Sequence, residues 1–145
     1  MPATLICFMV LGVSMNIPHQ EDEMEKDILH YINLARSDKG LNALELNEYE
    51  SSVATEHSRN MASGKTPFGH QGMETRIKKI DKKLGPLSGA AENVAYGIMT
   101  AREVVDGWLN SPGHKKNIEG DFRLTGIGYA KGKDGTLYFT EIFTK

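Results

Sequence analysis

A single cysteine, Cys7, stands in a chain of 145 residues, so no disulfide can form within the chain. The fold must rest on its apolar core instead. A chain of this length buries roughly two-thirds of the surface its unfolded form exposes, enough for a core without covalent staples. Long apolar runs are also missing. The one sizeable run, Ala3 to Val13, falls short of the roughly 20 residues that a membrane span requires. Neither sign of charge prevails, with 17 Lys and Arg against 19 Asp and Glu and a pI near 6.2. That balance lacks the basic footprint of a nucleic-acid binder. No HExxH helix pairs two metal ligands with a base, and no nucleophile has a base beside it. Internal repeats, low-complexity tracts and interdomain linkers are absent too. What is present, 39% hydrophobic and 25% charged residues, describes one ordinary globular domain.

The run ATLICFMVLGV precedes an acidic patch at Glu21 to Glu25 and reads as a secretory leader or N-terminal anchor over residues 1–20, with the domain proper over 21–145. No Lys or Arg precedes the run, and only Gly12 with Ser14 suits cleavage; a buried strand or helix is the alternative. Removal of the leader leaves a cysteine-free protein. Beyond it, Met24, Ile28, Ile32 and Ala35 recur at helical spacing before Gly40, which predicts a helix over Glu23 to Lys39. Asn47 with Glu50 reads as a capping-box variant that opens a second helix, with the stripe Tyr49, Val53, His57, Met61 up to Ser63 and a stop at Gly64. Met73, Ile77, Ile80 and Leu84 mark a third helix that ends at Gly85-Pro86. Thr100 and Glu103 cap a fourth, broken at Ser111-Pro112-Gly113. After Asp121 the period changes to two: Leu124 to Tyr129 and Thr136 to Thr144 form a hairpin, and Asn93 to Tyr96 supplies a third strand. The expected class is α+β, a small antiparallel sheet covered by helices on both faces.

Chemistry concentrates between Ala91 and Ile118, where Glu92, Trp108, a Ser-Pro-Gly breaker and His114 follow one another, and His70 sits upstream in a loop of Pro and Gly. Two imidazoles and a carboxylate suit a divalent cation such as Zn²⁺ with positions left open. Each residue also has a plainer reading. His70 and His114 can hold loops by hydrogen bonding, and Glu92 can orient an imidazole or accept backbone N–H groups. His57 lies on an apolar stripe and reads as a core histidine. Asn93 and Asn117 read as fasteners of turns, with Asn93 also a candidate for the cleft. Trp108 is a core residue first. Lys78, Lys79, Lys82 and Lys83 form a solvated basic face.

These segments together resemble the CAP superfamily, or SCP domain, shared by cysteine-rich secretory proteins, venom antigens and plant pathogenesis-related proteins. The likeness runs over about residues 24 to 144: NLARSDKGLNALELN, VATEHSRNMAS, FGHQG, AENVAYG, VVDGWLNSPGHKKNI, TGIGYA and LYFTEIF. It is nearest to the short, cysteine-poor microbial branch. The resemblance implies an α-β-α sandwich, secretion to the extracellular space or cell envelope, and a cleft lined by two histidines and two acidic residues. His70, Glu92 and His114 match three of those four. The fourth falls near Ser111, where this chain carries no acid. Glu141, at a position where microbial relatives often have Gln, is the substitute to consider, since it shares its strand face with Leu137, Phe139 and Phe143 and needs a partner such as His70 or His114.

Three functions follow from the resemblance and the residues. The first is a secreted, non-enzymatic binding module for a divalent cation or a small ligand, sterols and lipids being among the family's ligands. The second is a zinc-dependent hydrolase, with His70 and His114 holding the metal and Glu92 or Glu141 as base. The third is a cell-envelope interaction or signalling protein that contacts the membrane.

Overall fold

The computed structural model describes residues 20–145; the leader and Cys7 lie outside the described residues. Five helices and four strands follow in the order α1 (Gln20–Asp38), β1 (Glu45–Leu46), α2 (Glu48–Ala62), α3 (Met73–Leu84), β2 (Ala90–Gly97), α4 (Ala101–Leu109), α5 (Pro112–Ile118), β3 (Leu124–Lys131) and β4 (Leu137–Thr144). The sheet order is β1-β3-β4-β2. Its main body is antiparallel as expected, with β4 between β3 and β2. The two-residue β1 adds a parallel edge beside β3, too short to leave a period-two signal in the sequence.

Side chains alternate across the sheet, and the register divides them between two cores. Phe139 and Phe143 pack with Ile28 and Ile32 of α1, Val104, Val105 and Trp108 of α4 and Ile118 of α5. Ile142 packs with Val53 and Ala54 of α2 and Ile80 of α3. The sheet therefore lies between two helical layers, an α-β-α sandwich.

The caps behave as their residues dictate, with one exception. Thr100 and Glu103 make the reciprocal capping box of α4. Gly85 stops α3, and Gly40 and Gly64 adopt positive φ just beyond α1 and α2. At α2, however, Asn47 accepts from the Glu50 backbone while the Glu50 side chain turns inward and its Oε1 accepts from Thr144 Oγ1 at 2.6 Å. The expected box is thus only half made, because the Glu50 carboxyl is fully buried and the Asn47 N–H that it would have met already donates to the Thr125 carbonyl at 2.8 Å. Two glycines of β3 decide how closely α2 approaches. A Cβ on Gly126 would stand 2.2 Å from the Glu50 carbonyl carbon, and one on Gly128 2.3 Å from the Thr55 nitrogen.

Ser111-Pro112-Gly113 ends α4 and at once begins α5, with Pro112 in its first turn, the position where a missing N–H costs nothing. Arg36 fixes where α5 leads. Its buried guanidinium donates to the carbonyls of Asn42, Ile118, Gly120 and Phe122 at 2.8, 2.7, 2.9 and 3.4 Å. One α1 side chain thereby ties down the turn after α5.

Candidate functional site

The loop between α2 and α3 carries His70. Gly69 and Gly72 on either side adopt φ of 135° and 79°, backbone that favours glycine. His57 holds this loop from beneath, its Nε2 standing 2.7 Å from the Gly69 carbonyl. A carbonyl only accepts, so that nitrogen carries the proton. Burial, the largest influence, lowers the His57 pKa and keeps the ring neutral. His57 is thus the core histidine its stripe predicts, and it positions the loop.

Glu92 is buried on β2 and opposite Ile142 in register, so it faces α2 and α3. Its carboxylate joins two groups from different elements. His70 Nδ1 lies 2.9 Å from Oε1. Arg76 of α3 grips both oxygens, Nε to Oε2 and Nη2 to Oε1, each at 2.8 Å. This two-point geometry is the strongest form of a charge-assisted pair. Arg76 also donates from Nη1 to the Gln71 carbonyl at 2.9 Å. With Nδ1–H donating to Glu92, His70 keeps its Nε2 free to face outward from a side chain 48% exposed.

Sequence reasoning missed Arg76, although a signal was there. It lies three residues after Met73 and four before Ile80, on the apolar stripe of α3, whereas the neighbouring lysines fall off that stripe. A lone arginine in a core-facing position requires an acid opposite it.

His114 enters from α5. Burial first, and the charge of His70 second, lower its pKa. Its backbone is fastened by Asn93, whose Nδ2 donates to the His114 carbonyl at 3.2 Å. Asn117 completes the brace, its Nδ2 donating to Asn93 Oδ1 at 2.8 Å and to the Glu92 carbonyl at 3.3 Å. Trp108 Nε1 donates to the Val94 carbonyl at 3.1 Å. The outer edge of β2 is thereby closed by side chains of α4 and α5 rather than by another strand. Asn93 is fully buried and engaged at both ends of its amide, so it serves here as a brace for the His114 backbone.

Glu141 lies elsewhere. It pairs in register with Asn93, one residue out of step with Glu92, and neighbouring residues of a strand point to opposite faces. Its partner is Thr125, Oγ1 to Oε1 at 3.1 Å, and not an imidazole. Burial raises its pKa well above the carboxylate range, with Thr125 and the charge of Arg36 opposing. A protonated Glu141 also balances the hydrogen bonds. The single Thr125 proton can then go to the Ile142 carbonyl at 2.9 Å while Glu141 donates to Thr125.

The structure thus joins His70 and Glu92 to Arg76, ties His114 down through its backbone carbonyl, and turns Asn93 and Glu141 to the other face of the sheet. A catalytic zinc takes three protein ligands and a water. Two imidazoles are on offer here, but Glu92 already accepts from His70 and twice from Arg76, and freeing it would leave a buried guanidinium unpaired. No group of three His, Cys, Asp or Glu among the described residues could hold a metal ion. These donors do not fit the zinc set that the resemblance implied.

Comparison with known proteins agrees with the architecture. Residues 29–143 match the model of the CAP, or cysteine-rich secretory protein, family. Protein YkwD of Bacillus subtilis is 36% identical over 138 residues, covering 92% of this chain and 52% of its own length. The membrane protein YlbC of the same organism is 32% identical over 133 residues, covering 83% and 34%. The chain therefore spans about half and about a third of these two relatives. Among solved structures, an outer surface protein of Borrelia burgdorferi superposes with a TM-score of 0.71 at 30% identity, covering 85% of this chain and 92% of that one. An extracellular SCP-domain protein of Bacillus anthracis gives 0.72 at 26% identity, covering 86% and 41%. With its family model matched over most of its length and its sandwich shared by these structures, the chain belongs to the CAP, or cysteine-rich secretory protein, family.

Proposed function

We propose that this domain is an extracellular, non-enzymatic binding module whose cleft takes a small organic ligand, of lipid or sterol type, between the imidazoles of His70 and His114. The observation that carries this reading is the chain Arg76–Glu92–His70. Three side chains from three elements are spent on orienting one half-exposed imidazole, a precision that core packing alone does not require. A half-exposed imidazole whose Nδ1 is committed to Glu92 leaves its second nitrogen for a hydroxyl or carbonyl group of an amphipathic molecule. The extracellular setting is supported by the SCP-domain relative that is itself described as extracellular. A hydrolase has less in its favour, because the general-base candidate Glu92 already accepts three hydrogen bonds and the other candidate, Glu141, lies on the opposite sheet face.

The test is titration with a fluorescent sterol and a fluorescent fatty acid, with the imidazole signals followed by NMR. Binding should move the ring resonances of His70 and His114. His114→Ala should lower affinity while leaving the melting temperature nearly unchanged. Saturable binding that His70→Ala and His114→Ala both leave intact would place the ligand elsewhere.

A further inference from the structure

We infer that one end of the sandwich docks on an anionic lipid bilayer, with Phe68, Tyr96 and Ile98 entering the headgroup region and Lys65, Lys131 and Lys133 meeting lipid phosphates. The surface stands whether or not the His70 cleft takes an organic ligand.

Among the described residues the large apolar side chains left exposed are Leu34, Phe68, Leu84, Tyr96 and Ile98. Single exposed apolar residues are ordinary, but three of these lie together. Phe68 and Tyr96 meet edge to face with ring centroids 4.7 Å apart, and Tyr96 stacks on Tyr138 at 6.0 Å. Ile98 follows two residues after Tyr96 and is 85% exposed. Its neighbour Met99 packs back against Gly97 and the core, which leaves Ile98 outermost in that loop.

Sheet register brings cations to the same end. Gly97 of β2 and Lys131 of β3 both pair with Leu137 of β4, and Ile98 lines one groove with Lys131 and Leu137. A Cβ on Gly132 would lie 3.5 Å from the Ala62 carbonyl oxygen, so the end of α2 and the Lys65 loop are there too. Lys65, Lys131 and Lys133 are exposed and take part in none of the ion pairs of the described residues. The acids beside them, Glu103 and Asp134, are turned onto the backbone of Thr100 and Thr136. Three lysines against two acids leave this end positive in a chain of formal charge -2.

Size and chemistry select the occupant. Three partly exposed side chains fall well short of the roughly 800 Å² per partner that a stable protein interface buries. The most exposed of them is aliphatic and offers no ring face on which a base stacks. A bilayer demands less. Tyrosine places its ring at the apolar boundary and its hydroxyl among headgroups, an aliphatic side chain gains with the area it takes from water, and lysines near an anionic surface add attraction. Phe68 lies two residues from His70, so docking brings the cleft to a source of amphipathic ligands; that consequence alone rests on the binding reading above.

The experiment is NMR of the full chain with nanodiscs of phosphatidylcholine and phosphatidylglycerol that carry a nitroxide-labelled lipid. The readout is site-resolved because the apolar run Ala3 to Val13 can itself hold the chain to lipid. Signals of Phe68, Tyr96 and Ile98 should broaden while those of Leu34 and Leu84 stay sharp. Ile98→Ser, at an almost wholly exposed position, should fold as wild type and lose most of the broadening at Phe68 and Tyr96. Lys131→Gln combined with Lys133→Gln should remove the dependence on phosphatidylglycerol, and Leu84→Ser should change nothing. Broadening that is absent, spread evenly over the domain, or undiminished in Ile98→Ser overturns the inference. Dimerisation in lipid-free buffer that Ile98→Ser abolishes would assign this end to a second copy and overturn it equally. Failure of the sterol and the fatty acid to enter the cleft leaves the broadening untouched, so the two readings fail separately.

Discussion

His57 Nε2 stands 2.7 Å from the Gly69 carbonyl, so a buried side chain of α2 fixes the loop that presents His70. Replacement by alanine leaves that carbonyl without its donor and opens a cavity, at a cost of about 1–3 kcal/mol. His57→Ala should lower the denaturation midpoint and speed amide exchange over residues 64–72 while α4 and α5 keep their protection. Uniform exchange across the domain would show that the loop is held by other means.

Burial also gives His57 and His114 a dependence on pH. Both are lowered in the fold from an ordinary 6.5, so the unfolded chain binds more protons than the native one just below that value. Their contribution to stability is complete above pH 6.5 and is lost as pH falls through the native pKa values. Urea denaturation between about pH 5 and 8 checks this. The slope should flatten in His57→Gln.

Glu141 acts in the opposite sense. Its native pKa is raised well above 4.5, so its contribution is complete below that value and is lost as pH rises toward the native pKa. Glu141→Gln keeps the shape, retains a donor for Thr125 and removes the ionisation. It should raise stability near neutral pH by about 1–3 kcal/mol, with little gain in mild acid below the ordinary carboxylate pKa. An equal gain under both conditions would mean that ionisation is not the cause.

The approach of α2 to β3 gives a test of close packing. Gly126→Ala and Gly128→Ala each place a methyl group against helix backbone, which cannot swing aside as a side chain can. Either should cost at least about 2 kcal/mol. Gly107→Ala, where a Cβ meets nothing within 4 Å, is the control, and thermal unfolding of the three proteins decides the comparison.

The Arg76–Glu92 pair separates charge from shape. Glu92→Ala strands a buried guanidinium and should destabilise by about 3–5 kcal/mol. Glu92→Gln keeps one acceptor for Arg76 and should cost less. Chemical denaturation of both variants measures the difference, and equal losses would show that the pair contributes through packing alone.

Legibility in the sequence followed the range of the interaction. The capping box at Thr100, the stop at Gly85 and the alternation of β3 and β4 depend on residues a few positions apart, and each stood where those residues indicated. The half-made cap at Asn47 failed for a long-range reason, since Glu50 prefers a partner 94 positions away in Thr144. The site divides in the same manner. His70 and Glu92 were named from local motifs, and the fold joins the two side chains. Arg76 was hidden among lysines, since its role exists only when α3 is laid against β2.

The order of residues by itself determined the helices, the hairpin, the disulfide-independent core and the family, because periodicity, caps and turn chemistry act within a few residues of the chain. Only the tertiary structure decided which carboxylate serves which neighbour. Strand register sends Glu92 and Glu141 to opposite faces of the sheet, and a one-residue step along a strand reverses a side chain's direction.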